Sequence, residues 1–425
     1  MIDISKAPRI VDAAAQGLSA ERISPHARQV VERLKDAGYT AFLVGGCVRD
    51  LILGQEPKDF DVVTQARPEE IRQIFRNARL IGRRFRLAHV HFGREIVEVA
   101  TYRAAPSGGG DEEHDGNVFG TVEEDAFRRD FTINALYYDP DEGLVYDYAG
   151  GLDDLAARRL SVIGDPEARF REDPVRMLRA VRFAARLNFR LTEDSRALVP
   201  TLGPLLRDVA AARLFEEVLK LFHTGNAEAT YAALCEHGLF EVLFPGVAAV
   251  LGSRPDPDSL LARALANSDL RIAQGKPVTP AFLFAALLWE GVQEEAMHSI
   301  AEGAMPAEAW AQAAEQVLRE QLRIVMIPKR FSVPMREIWT LQSRFERRMG
   351  RHAFRFLESK RFRAAYDFLG LRAAVGEAGS DLFDWWTRFQ EATAPEREAM
   401  VEGLHEKGQG EKRPRRRRRR RASGS

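Results

Sequence analysis

Two aspartates one residue apart, Asp59 and Asp61, stand in the apolar run DFDVVT. A strand projects residues i and i+2 on one face. A strand here therefore puts both carboxylates on one side, with Phe60 and Val62 on the other. Like charges at that spacing repel, and a divalent cation between them removes the repulsion. Hard cations prefer carboxylate oxygens, and magnesium also keeps waters and takes substrate phosphates as ligands. Two such ions activate an attacking hydroxyl and stabilise the leaving oxygen of a phosphoryl-type transfer. A turn-capping pair at a strand end is the plainer reading of the same letters, because short motifs recur by chance. Glu98, in IVEVATYR, is polar where an apolar residue is expected. It is either a third carboxylate of the same site or an ion-pair partner for an arginine such as Arg103.

The context narrows the choice. Gly45 and Gly46 close the apolar run AFLV and open CVRDLILG, which reads as a strand, a glycine turn and a helix. Glycines there allow close approach of a phosphate, and the first turn of a helix offers it unpaired N–H groups. A plain tight turn would explain the glycines equally well. Together with the aspartates, the turn would hold a nucleoside triphosphate at both ends of its phosphate chain.

The elements that must position these groups follow from pattern. SPHARQVVERLKDAG has an N-cap serine, Pro25 at the first helical position and Gly38 at the end. RPEEIRQIFRNA is an amphipathic helix. FRLAHVHFG and REIVEVATYR form a hairpin turning at Phe92–Gly93–Arg94. The acidic glycine-rich loop APSGGGDEEHDGNVFG is expected to be mobile. Beyond GDPEARFREDP the strands stop and helix follows helix to about residue 400. Residues 1–24 read as loosely ordered.

The chain has 425 residues, with 62 basic and 62 acidic side chains. The balance hides an arginine block, KRPRRRRRRRASGS, so the rest of the chain is acidic on average. Such a block reads as a disordered tail for an anionic partner: RNA, DNA or an acidic membrane surface. Cys47 and Cys235 are the only cysteines and have no metal-ligand spacing, which fits a reducing compartment. The opening MIDISKAPRI lacks a secretion-signal pattern, and AFLFAALLWEGV is too short to span a bilayer and reads as a buried helix. His89 and His91 share a strand face, but no second ligand pair accompanies them. His114–Asp115 lacks the further histidines of a phosphohydrolase. The stretch PKRFSVPMREIWTLQSRFERRMGRHAFRFLESKRFRAAYDF interleaves arginines with aromatics and offers an RNA-backbone track with rings for base stacking; an amphipathic core reading serves each residue equally.

Six motifs then fall in one order: LVGGCVRD, DFDVVT, RRDFTINAL (128–136), DYAGGLDDL (147–155), REDPVRMLRAVRFAARL (171–187) and ARLFEEVLKLF (212–222). This series resembles the class II nucleotidyltransferases of the DNA polymerase β superfamily, which comprise tRNA CCA-adding enzymes and bacterial poly(A) polymerases. LIGRRFRLAHVHFG (80–93), PAFLFAALLW, RFRAAYDFLGLR (361–372) and the basic tail resemble the poly(A) polymerase branch.

The resemblance implies an α+β fold: a polymerase-β-like nucleotidyltransferase head, then an all-α neck, body and C-terminal helical region with a disordered basic tail. The expected boundaries are 1–24 for a flexible N-terminus, 25–165 for the head, 166–225 for the neck, 226–400 for the body and RNA-binding region, and 401–425 for the tail. It implies template-independent addition of AMP from ATP to RNA 3′ ends by two Mg²⁺ ions, with Mn²⁺ as an alternative. Asp59 and Asp61 would bind the metals, with Glu98 as third catalytic carboxylate. Gly45, Gly46, Arg49 and Asp50 would organise the triphosphate pocket, and Arg129, Asp130 and Asn134 would hold the sugar and its neighbouring backbone. Asp173, Arg176 and Arg179 would face the base and phosphates. Arg415, Arg416, Arg417 and Arg418 would bind RNA. A cytoplasmic monomer acting on ATP and RNA, not DNA, is expected.

On the residues themselves, Asp173 before Pro174 is a favoured N-cap. It can also accept from the amino group of adenine while Arg176, three residues on, donates to the ring nitrogen. The same edge argument serves cytosine. Arg176, Arg179, Arg182 and Arg186 make a stripe at helical spacing, read as a solvated face or as a phosphate-binding one for the triphosphate or primer. Two alternatives remain: a CCA-adding enzyme using CTP and ATP, and an RNA-binding protein that keeps the fold without catalysis.

Overall fold

The computed structural model describes residues 7–82, 86–104, 118–252 and 255–410, with 405–410 by backbone alone. Arg415 to Arg418, His114–Asp115 and most of the acidic glycine loop lie outside the described residues. The chain divides into two compact units, Met1–Leu206 and Arg207–Ser425. The first carries both strands and helices and the second is helical, so the α+β class expected from the sequence is the one observed.

The strands of the first unit are β1 (Arg9–Asp12), β2 (Ala41–Val44), β3 (Asp61–Thr64), β4 (Ala78–Ile81), β5 (Leu87–Phe92), β6 (Glu95–Thr101), β7 (Leu136–Asp139) and β8 (Leu144–Asp147). They form one sheet in the order β1-β8-β7-β2-β3-β6-β5-β4. β3 and β6 run parallel and the other neighbours antiparallel. The helices that frame the sheet and carry the candidate residues are α1 (Pro25–Asp36), α2 (Gly46–Ile52), α3 (Pro68–Ile74), α4 (Val122–Arg128), α5 (Gly151–Ala156), α6 (Pro166–Glu172) and α7 (Val175–Leu187).

Local chemistry accounts for these elements. The Ser24 hydroxyl accepts the His26 and Ala27 N–H groups at the start of α1, and Pro25 fills the first position, where no N–H is needed. Ala27, Val30, Val31 and Leu34 recur at helical spacing and are fully buried. Each of the three larger side chains contributes roughly 1.5–3 kcal/mol, so Val31→Asp would detach the helix from the sheet. The β5–β6 hairpin turns at Gly93, whose φ of 63° suits glycine, with Phe92 opposite Glu95.

Two sequence readings are corrected and one hairpin is added. Arg9–Asp12, read as loosely ordered, pairs with β8 as an edge strand. The β7–β8 hairpin had no clear signal: all four residues of β7 are buried, so the polar–apolar alternation of a half-buried strand is missing. Arg190–Leu191, past the point where strands were expected to end, pairs in parallel with Arg159–Leu160.

In the second unit, the helix Pro280–Leu287 is buried at Ala281 and from Leu283 to Leu287, as AFLFAALLWEGV suggested. Most rings of the arginine-and-aromatic stretch turn inward. Phe345, Phe356, Phe362 and Tyr366 join Trp385, Trp386 and Phe389 in one core cluster and are unavailable for base stacking. Arg344, Arg347, Arg351, Arg355 and Lys360 of the same stretch stay exposed.

Candidate active site

β3 explains why carboxylates stand in an apolar strand. Asp61 is its exposed first residue, while Val62, Val63 and Thr64 behind it are buried. The charge is placed where the sheet opens. Asp59 lies in a bend before the strand rather than within it, so the expected strand alternation does not relate the two aspartates. Asp59 remains within electrostatic reach of Asp61. In the parallel β3–β6 register Asp61 pairs with Glu98, and in the β2–β3 register with Val44, the residue before Gly45. Three separate segments therefore meet at the head of β3.

The electrostatics are those of an acidic cluster. Solvent reaches the Asp61 carboxylate, yet surrounding protein strips away enough water to raise its pKa. The Glu98 charge raises it further, Arg129 opposes this and Asp59 adds a smaller push, for a net value of about 6. Glu98 pairs with His89 (Nε2 to Oε1, 3.3 Å). His89 lies directly across from it on β5. Among the described residues no three His, Cys, Asp or Glu groups converge into a ready-made metal cage. One or two carboxylates completed by waters and phosphate oxygens suit magnesium, which seldom uses an all-protein cage. The donor set thus fits a divalent ion that arrives with a nucleotide.

Gly45 has φ 77° and ψ −127° and precedes α2. A side chain there would be strained, and its Cβ would lie 3.5 Å from Arg129 Nη1. Arg129 is held from behind. Its Nε and Nη2 donate to Asp125 Oδ2 at 3.1 and 2.9 Å, and its Nε donates to Tyr137 Oη at 3.0 Å. Asp125 is fully buried and also accepts from Arg128 and from Tyr137 Oη. Spacing contained the signal for Asp125: it is three and four residues before Arg128 and Arg129 on one helix. Tyr137 comes from β7 and had none.

Arg49 and Asp50 are 2% and 4% exposed. Arg49 donates to its neighbour Asp50 at 2.8 Å and to Asn134 Oδ1 at 2.7 Å. Arg49 Nη2 lies 3.6 Å from where a Gly46 Cβ would stand, so the pair packs against the glycine turn. Asp130 accepts from Arg179 Nε at 2.7 Å and from Asn134 Nδ2 at 3.3 Å. Although burial alone would raise its pKa, the Arg179 charge and these hydrogen bonds hold it below the ordinary carboxylate range.

The arginine stripe of α7 is neither a solvated face nor an open phosphate track. Arg176 pairs with Glu172, Arg179 with Asp130 and Arg186 with Asp50. Arg182 is 7% exposed, its guanidinium 4.6 Å from the Phe183 ring centre. Arg49 and Arg179 lie over the same ring at 5.3 and 5.5 Å. Asp173 Oδ1 accepts the Val175 N–H at 3.2 Å, the capping bond expected of it, though regular helix begins only at Val175. Glu172, whose place in the sequence is that of an ordinary helix-surface charge, accepts from both Arg169 and Arg176.

A glycine turn and acidic residues meet at the head of β3, and Asp173 and Arg176 flank the start of α7; likeness to known proteins makes the chain a nucleotidyltransferase of the polymerase type. Models of the poly(A) polymerase head domain, of a probable RNA- and SrmB-binding site of polymerase A, and of the polymerase A arginine-rich C-terminus match residues 41–161, 188–251 and 302–422. Poly(A) polymerase I of Escherichia coli O157:H7 is 46% identical over 93% of this chain and 89% of its own length. That of Haemophilus influenzae is 43% identical over 92% and 90%. The chain belongs to the poly(A) polymerase I family. Relatives named as CC- or CCA-adding enzymes match at 38–39% over about half of the chain. The crystal structure of the Bacillus stearothermophilus CCA-adding enzyme in complex with CTP is similar at a TM-score of 0.61 and 26% identity, covering 87% of this chain and 83% of that one. No helix among the described residues is long and apolar enough to cross a membrane.

Proposed function

We propose that the acidic end of β3 is the catalytic centre for polyadenylation, in which AMP from ATP is added to an RNA 3′ end. The observation that carries this reading is the register placing Asp61 beside both Glu98 and the Gly45–Gly46 turn, with a raised Asp61 pKa. The RNA 3′-hydroxyl attacks the α-phosphorus of ATP, a phosphodiester bond forms, the bond to the bridging oxygen breaks and pyrophosphate leaves. Asp59 and Asp61 would hold divalent ions, Mg²⁺ by donor chemistry with Mn²⁺ as substitute, and such ions would supply positive charge for the phosphoryl oxygens and the leaving oxygen. Glu98 completes the acidic set and is available to accept the hydroxyl proton. Gly45 and Gly46 let the phosphates approach the backbone. Arg129, pinned by Asp125 and Tyr137, offers its guanidinium beside them.

Asp173 and Arg176 read the adenine edge as acceptor and donor. Arg49, Asp50, Asp130, Asn134, Arg179 and Arg182 act from behind, holding the turn, the Asp130 loop and α7 in register. For the primer, the exposed Arg344, Arg347, Arg351, Arg355 and Lys360 offer a phosphate track, and Arg415 to Arg418 would add affinity by counterion release without sequence preference. We place the protein in the cytoplasm as a monomer. The buried free thiols Cys47 and Cys235 suit a reducing compartment.

The test is incorporation of each labelled nucleotide on a non-tRNA primer. Long A tracts are expected. Addition confined to tRNA ends, with CTP accepted first, would give the CCA-adding reading instead. RNA binding without any incorporation would leave a binding protein.

A further inference from the structure

The base-reading pair and the arginine turn beside the carboxylates are joined by one side chain to which neither composition nor motif drew attention. Arg169 lies in α6, between the end of α4 and the start of α7. Its Nη2 donates to the carbonyl oxygens of Arg128 and Arg129 at 2.7 and 2.8 Å. These are the last carbonyl of α4 and that of its cap residue, where the helix supplies no partner of its own. Its Nη1 donates to Glu172 Oε2 at 2.7 Å, and Arg176 Nη1 donates to that same oxygen at 2.6 Å. The Arg169 carbonyl accepts from Arg176 Nη1 at 2.8 Å and from the Asp173 N–H at 3.2 Å. One residue therefore touches the backbone of Arg128–Arg129 with its side chain and both members of the Asp173–Arg176 pair with its main chain. The Arg169 and Arg176 side chains are only 15% and 13% exposed, so their bonds to the backbone carbonyls are partly shielded from water, while Glu172, which joins them, is 51% exposed.

We propose that Arg169 is a positioning residue that couples nucleotide selection to the phosphate-facing turn: it holds the Asp173–Arg176 edge in register with Arg129, so that a base fitting the pair brings its α-phosphate to the carboxylates. The planar fork matters because it bonds two carbonyls and a carboxylate at once, which an ammonium on a flexible stem does not reproduce. The coupling rests on the reading of Asp173 and Arg176 as adenine readers.

The experiment measures kcat/KM for ATP and for CTP on one RNA primer, with thermal melts, for the parent, Arg169→Met, Arg169→Lys, Glu172→Gln and Arg176→Ala. Arg169→Met is expected to lower the ATP-over-CTP ratio roughly tenfold, mainly through KM. Arg169→Lys should fall with it rather than with the parent. Glu172→Gln cuts only the bridge, at a half-exposed position that tolerates change, and should lower the ratio by a few-fold even if Arg169→Met does not fold. Combining Arg169→Met with Arg176→Ala should give less than the product of the single effects.

If Arg169→Met lowers both nucleotides equally, or Arg169→Lys restores the parent ratio, or Glu172→Gln leaves it unchanged while Arg176→Ala reduces it, the coupling is wrong and the base-reading pair stands. If Arg176→Ala itself leaves the ratio untouched, the reading of the pair fails and the coupling with it.

Discussion

Two arginine-rich stretches of this chain look alike as letters and differ as matter. On α7, the Arg176, Arg179 and Arg186 side chains are 13%, 31% and 33% exposed and each meets a carboxylate, and Arg182 is buried against Phe183. In the second unit, Arg344, Arg347, Arg351 and Arg355 are exposed, and among the described residues no ion pair ties them to a carboxylate. In the first set Arg179, Arg182 and Arg186 are tied into the first unit's interior, and Arg176 is tied to Glu172 beside the proposed base-reading edge; the second set is surface charge. The distinction comes from what opposes each set. Asp50, Asp130 and Glu172 are distributed through the first unit so that they meet α7, and Phe183 presents its ring to Arg49, Arg179 and Arg182. The rings beside the second set fill a core and leave the guanidinium groups outside.

The strongest way to break the picture is at the carboxylates. Asp61→Asn should lower kcat for AMP addition by on the order of 10³ or more while RNA binding is retained. Its melting temperature should equal or exceed the parent's, because the substitution removes one of several like charges. Steady-state incorporation and a thermal melt suffice; an active Asp61→Asn would refute the site. Next comes the architectural set. Arg179→Ala leaves the Asp130 carboxylate largely enclosed without its main partner and should cost about 2–3 kcal/mol of stability. Arg351→Ala, in the exposed set, should stay within about 0.5 kcal/mol of the parent in denaturant unfolding. Equal losses for the two would erase the comparison.

The ordered motifs made the fold class and the family legible through resemblance, and an acidic residue in an apolar run marked Asp61 and Glu98; that they stand on neighbouring strands beside the Gly45 turn is shown by the sheet register. What stayed hidden depended on partners distant in the chain. The buried state of Arg49 and Asp50 requires Asn134 and Phe183, and the clamp on Arg129 requires Tyr137 from a strand with no alternating pattern. Alternation in DFDVVT predicts a strand that includes Asp59, but the strand begins at Asp61 and Asp59 sits in the bend before it. Glu172 and Arg169 read as ordinary helix-surface charges, and only folding brings them between α4 and α7.

Charge buried in the second unit gives a smaller effect. Glu290 has its pKa pushed up to about 7 from an ordinary 4.5, first by burial and then by the Glu377 charge, with hydrogen bonds from the Leu260 and Leu261 backbone opposing. A carboxyl whose folded pKa is raised disfavours the fold once it ionises. Its stabilising share is full below about pH 4.5 and falls as pH rises towards 7. Glu290→Gln keeps an acceptor for those N–H groups and removes the charge. It should therefore be more stable than the parent by about 1–2 kcal/mol near pH 8, a figure already reduced for the group's contact with solvent, with the gain vanishing near pH 4. A gain that persisted in acid would show that the effect is not ionisation.

The exposed arginines give the smallest single effects and the sharpest test of what they are for. Each guanidinium that meets an RNA phosphate releases counterions, so removing one should flatten the dependence of log affinity on log salt by about 0.7. Arg344→Gln, Arg347→Gln, Arg351→Gln and Arg355→Gln should each weaken RNA binding by a few-fold at low salt and hardly at all at high salt, with the melting temperature and the KM for ATP unchanged. Four substitutions together should add nearly linearly, because these charges are not linked through a shared carboxylate. The corresponding changes on α7 should be strongly non-additive, because its arginines work through a common ring and a connected set of acids. If the exposed arginines instead changed the KM for ATP while leaving the salt slope intact, they would belong to the nucleotide site, and the division between architectural and surface arginines would have to be redrawn.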